Sequence, residues 1–97
     1  MKIAWSPLAD TQVDEAVAYI ALDNPTAALE WLRRLLERVD SLATFPDSGR
    51  VVPELRRDDI REIIVSPYRV MYRRSDDLIE IAAIRHGARQ FDEKGIA

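Results

Sequence analysis

The chain has 97 residues, 47% of them apolar and 32% charged, with a formal net charge of −3. That is room for one domain with a modest core, and the composition of a folded protein rather than a disordered tail. There is no cysteine, which excludes disulfide and thiolate chemistry, and the longest apolar runs are a few residues, too short to span a bilayer.

The N-terminus, MKIAWSPLAD, lacks the apolar stretch of a signal peptide, so a cytoplasmic protein is expected. Within it Lys2–Trp5 reads as a short strand. Ser6-Pro7 then starts a helix, with serine as cap and proline in the first turn. Leu8, Val13, Ala16, Val17 and Ile20 fall on one face of it, and it should end near Leu22. Asn24-Pro25 repeats the same start signal. In the second helix Ala28, Trp31, Leu32, Leu35, Val39 and Leu42 form a stripe at spacings of three and four, and Phe45-Pro46 marks its stop. Asp47-Ser48-Gly49 is a turn, and Arg50–Leu55 reads as extended and interrupted by Pro53.

The densest stretch is Arg61–Arg74, REIIVSPYRVMYRR. It encodes two strands, Arg61–Ser66 and Arg69–Arg74, joined across Pro67-Tyr68. After Ser75-Asp76-Asp77, a third strand covers Leu78–Ile84, and the tail from Arg85 onward shows no period. Helices segregated from an antiparallel sheet make a single α+β domain, a helical hairpin packed on a small sheet. By strand alternation Val70, Tyr72, Ile79, Ile81 and Ala83 should pack on the helices. Arg69, Met71, Arg73, Leu78, Glu80, Ala82 and Ile84 would then share the opposite face. No third layer is foreseen over that face, so it points to a partner.

Charge is unevenly spread. Residues 50–74 carry seven basic against four acidic side chains, and twelve of the fourteen cations in the chain are arginine, the side chain suited to bidentate carboxylate or phosphate contacts. One histidine and no cysteine leave no usual zinc site, and three scattered glycines make no phosphate loop. No cofactor or metal is expected.

An ordered set of short motifs spans most of the chain: Asn24-Pro25, Phe45-Pro46, Gly49-Arg50, Pro53-Glu54-Leu55, Arg61-Glu62, Ser66-Pro67-Tyr68-Arg69-Val70, Tyr72-Arg73 and Ile84-Arg85-His86. In this set the chain resembles the RelE/ParE superfamily of bacterial type II toxin–antitoxin toxins. The resemblance implies the same helical hairpin on an antiparallel sheet. It also implies a cognate antitoxin whose C-terminal segment wraps and neutralises the toxin, and DNA binding only through that antitoxin. The sheet face bearing Arg69, Met71, Arg73, Leu78, Glu80, Ala82 and Ile84 is where such a segment is expected to dock.

The superfamily divides by mechanism. RelE-like members cleave messenger RNA on the ribosome, which calls for a base, cations for the phosphate and an acid. ParE-like members bind and poison DNA gyrase. For the ribonuclease reading the resemblance assigns Arg69 and Arg85 to the phosphate and His86 to proton transfer. His86 is the one side chain here that titrates near neutrality unperturbed. Against that reading, Gln90-Phe91-Asp92 stand where many RelE-like toxins end in tyrosine or histidine. Arg56-Arg57 stand in for paired lysines, and arginine is a poor base. The ParE-like reading, a gyrase inhibitor with no catalytic residues, is therefore preferred. A non-toxic binding module on the same fold is the third possibility.

Overall fold

Each helix begins where a capping side chain precedes proline. In the computed structural model, which describes residues 1–96, β1 (Lys2–Trp5) leads into α1 (Pro7–Asp23) and α2 (Pro25–Ser41). Ser6 Oγ accepts the Ala9 backbone N–H at 3.0 Å, and Asn24 Oδ1 accepts that of Ala27 at 3.1 Å. Each cap satisfies a donor that helix geometry leaves without a partner. The Asn24 N–H also donates to the Ile20 carbonyl, so one residue closes α1 and opens α2.

The remaining strands, β2 (Arg50–Val51), β3 (Ile60–Val65), β4 (Tyr68–Arg74) and β5 (Leu78–His86), form an antiparallel meander. β1 joins it parallel to β5, giving the order β1-β5-β4-β3-β2. The α+β class, the helical pair and the central hairpin are as expected. β5 runs two residues further, to His86, whereas pairing in the Arg50–Leu55 stretch is confined to Arg50 and Val51. The core between helices and sheet is built on Trp31, Leu35 and Val39 of α2, on Leu42 just beyond its end, and on Ile63, Val65, Val70, Tyr72, Ile79 and Ile81 of the sheet. Trp31 is fixed in it by a hydrogen bond from Nε1 to the Val65 carbonyl at 3.0 Å and by the Tyr68 ring 5.0 Å away. On α1 the inward position goes to Ala9 in place of Leu8.

The opposite sheet face corrects two expectations. Met71 pairs with Ala83 and Tyr72 with Ile81, which leaves Ala82 without a counterpart on β4. Such a β-bulge inserts one residue and reverses the alternation beyond it. Ile79 and Ile81 still face the helices, but Ala83 turns to the other side beside Met71, and Ile84 turns into the helix-side core. Ala82 is buried at the bulge, its carbonyl accepting from Ser6 Oγ at 2.9 Å. Ala82 and Ile84 are therefore not on an exposed docking face.

Nor is that face uncovered. Val52, Ile60, Met71, Ala83 and Ile96 form a second apolar cluster, with Leu55 and Phe91 packed against it. Residues 91–96 fold back over the sheet as the third layer, and Ile96 is fully buried. Of the remaining residues expected on this face, Arg69, Arg73 and Glu80 are tied into ion pairs, and Leu78 lies at its margin, 37% exposed.

Candidate functional site

β4 and β5 determine where the candidate residues stand. Arg69 pairs across the ladder with Arg85, and Tyr68 with His86. Alternation along the strands therefore puts both arginines on the tail-covered face and His86 on the helix side. The three residues assigned to cleavage are divided between two faces of one sheet.

Arg69 is held by carboxylates. Its Nε donates to Glu62 Oε1 at 2.7 Å, and Nη1 and Nη2 donate to Glu54 at 3.0 and 2.8 Å. Glu62 is buried to the last atom of its side chain and takes a second arginine, Arg50, whose Nε donates to Oε2 at 2.7 Å. The Phe91 ring lies 5.5 Å from the Arg69 guanidinium carbon. Hydrogen bonding to Glu54, then to Glu62, holds the Arg69 pKa above its ordinary value, and the same bond from Arg69 holds the Glu54 carboxyl below its own. Arg73 donates to Glu80 and to the Ile96 carbonyl. Arg85 donates from Nη2 to the Lys94 carbonyl at 3.2 Å, while its Nε is buried with no partner among the described residues.

His86 lies edge-on to Tyr68, ring centres 5.3 Å apart, and its Nδ1 accepts the Ala88 backbone N–H at 3.0 Å. In the neutral ring the proton is therefore on Nε2. Beside it a cavity of 420 Å³ opens between α1 and the end of β5, bordered by Glu15, Tyr19, Tyr68, Arg85 and Arg89. Burial is the main reason the Tyr68 phenol is pushed above its usual value. In the sequence Glu54 and Glu62 stand out only as members of the Pro53-Glu54-Leu55 and Arg61-Glu62 motifs, and Phe91 only within Gln90-Phe91-Asp92, none of them as a site residue. The signal for Glu62 was its place on the same strand face as Ile60, directly across from Met71.

Comparison with known proteins agrees with this architecture. Residues 3–91 match the family model described as ParE toxin of type II toxin–antitoxin system, parDE. Y4kP of Sinorhizobium fredii is 36% identical over 94 residues, covering 95% of this chain and 94% of that protein. Toxin RelE2 of Caulobacter vibrioides is 37% identical over 86 residues, covering 88% and 91%. Among solved structures, a chain of the chromosomal ParDE toxin–antitoxin system from P. aeruginosa superposes with a TM-score of 0.71 at 22% identity, over 89% of this chain and 95% of that one. The chain thus belongs to the ParE toxin family of type II toxin–antitoxin systems, within the RelE/ParE superfamily.

Proposed function

We propose that this toxin arrests growth by binding DNA gyrase, and that a cognate antitoxin holds it in check. The observation that carries the reading is the commitment of Arg69. All of its hydrogen-bonding nitrogens face Glu54 and Glu62, and it stands on the opposite sheet face from His86. A guanidinium in that position ties β3, β4 and the loop before β3 together, which suits a protein acting through its surface. The test is a pair of assays on purified, antitoxin-free protein, one of gyrase supercoiling and cleavage-complex formation, the other of messenger cleavage in a translating extract. Gyrase inhibition with intact message is the expected result. Cut message with unaffected gyrase would overturn the proposal.

Ribosome-dependent messenger cleavage is the second reading. Arg89 and His86 border one cavity, which sets a cation beside a proton carrier, while the Arg85 guanidinium turns to the other face. On this reading His86→Ala abolishes toxicity while the protein stays folded, and full retained toxicity removes it.

A further inference from the structure

Residues 91–96 close over the sheet without joining it. Among the described residues this segment makes no backbone–backbone hydrogen bond to a strand, and its one such bond, from the Ile96 N–H to the Glu93 carbonyl at 2.9 Å, is internal. The Lys94 N–H donates to Asp92 Oδ1 at 2.9 Å, again within the segment. Side chains tie it down. Ile96 fills the slot between Val52, Ile60, Met71 and Ala83, Arg73 donates to the Ile96 carbonyl, and Arg85 donates to that of Lys94 at 3.2 Å. Residues 87–90, which lead into the segment from β5, are all exposed.

Closure is also imperfect. Arg69 and Arg85 stand directly opposite each other in the ladder, like charges on one face. With the segment closed, Arg85 Nε is buried and has no partner among the described residues. A segment with its own internal bonds, two apolar anchors in Phe91 and Ile96, and no ladder bond opens locally, far below the free energy of global unfolding. Opening bares an apolar slot flanked by two guanidinium groups that had been holding main-chain carbonyls. Such a groove suits an extended peptide, which supplies an apolar side chain to the slot and carbonyls to the arginines.

The peptide that demonstrably fits is the chain's own. The structure assigns to residues 91–96 the role of a strap that opens as a unit, and to the groove beneath it the strap of a second copy as ligand. Taken up from another copy, the segment meets the same slot and the same arginines as at home, and reciprocal exchange closes a two-fold dimer. The closed strap competes with that exchange and so sets the concentration at which copies pair.

The test is fluorescence anisotropy of a labelled peptide of residues 88–97 against the full-length protein. Ile96→Asn strips the strap of its anchor. Gly95→Ala loosens the strap from outside the slot, since Gly95 has a φ of +82° and a Cβ there would lie 2.5 Å from Leu8 Cδ2. Both variants should bind the peptide roughly tenfold more tightly than wild type, whose own strap holds the groove. The peptide carrying Ile96→Asn should bind none of them. In the wild type, hydrogen exchange at Lys94 and Ile96 should run on the order of a hundredfold faster than within β4 and β5, and equal protection would overturn the inference. Wild type that binds as tightly as the variants, folded variants that bind no peptide, or a peptide whose binding survives Ile96→Asn would each overturn it as well. So would loss of the circular dichroism spectrum in both variants, because the strap would then be inseparable from the fold.

Discussion

Tyr72 holds together two parts of the chain that share no ladder. From β4 its hydroxyl donates to the Pro46 carbonyl at 2.7 Å and accepts the Gly49 N–H at 3.1 Å. Tyr72→Phe strips both bonds from a buried site and should cost about 1–3 kcal/mol in chemical denaturation. Gly49→Ala should cost a comparable amount by crowding, because a Cβ there would lie 2.6 Å from the Tyr72 hydroxyl oxygen and 2.7 Å from the Glu62 carbonyl oxygen. The Glu54–Arg69 pair carries a pH signature. A carboxyl held below its ordinary value of 4.5 lends stability that is complete above that value and lost as pH falls through the folded one. Stability should therefore decline on acidification below about pH 4.5, and Glu54→Gln should flatten that limb in denaturation curves taken across pH. The effect is small because Glu54 is partly in solvent.

At the scale of elements, what was legible depended on how local the signal is. Serine or asparagine ahead of proline marked both helix starts, and the stripe from Ala28 to Leu42 marked the buried face of α2. The bulge at Ala82 left no such mark: IAAI alternates equally well in either phase, so nothing local distinguishes Ala83 inward from Ala83 outward. The tail was illegible for a related reason. Phe91 and Ile96 are two apolar residues in a polar run, and only the slot made by Val52, Ile60, Met71 and Ala83 gives Ile96 a place. The candidate site suffered most, because Arg69, Arg85 and His86 are neighbours in the ladder yet face opposite ways. Ile96→Ala should cost about 2 kcal/mol, the low end for a buried isoleucine, since a terminal segment can readjust. Hydrogen exchange should quicken at Met71 and Ala83 in that variant more than in the helices.

The whole molecule is closed by its ends. β1 lies against β5, and the Ser6 hydroxyl reaches the Ala82 carbonyl across 76 positions of sequence. Since the two helices bury their apolar faces on strands encoded later, unfolding should be one cooperative transition, reported alike by Trp31 fluorescence and by backbone circular dichroism. Removing β1 should lower the midpoint of both together. Long-range closure of this kind also sets a clock on synthesis. Until Leu78–His86 has left the ribosome, the stripe of α2 has only part of its sheet to rest on, and β1 has no strand to pair with. Chains stalled before Leu78 should be protease-sensitive throughout, and full-length chains should be resistant. A toxin built this way has no complete surface to act with until β5 has emerged and taken β1 alongside it.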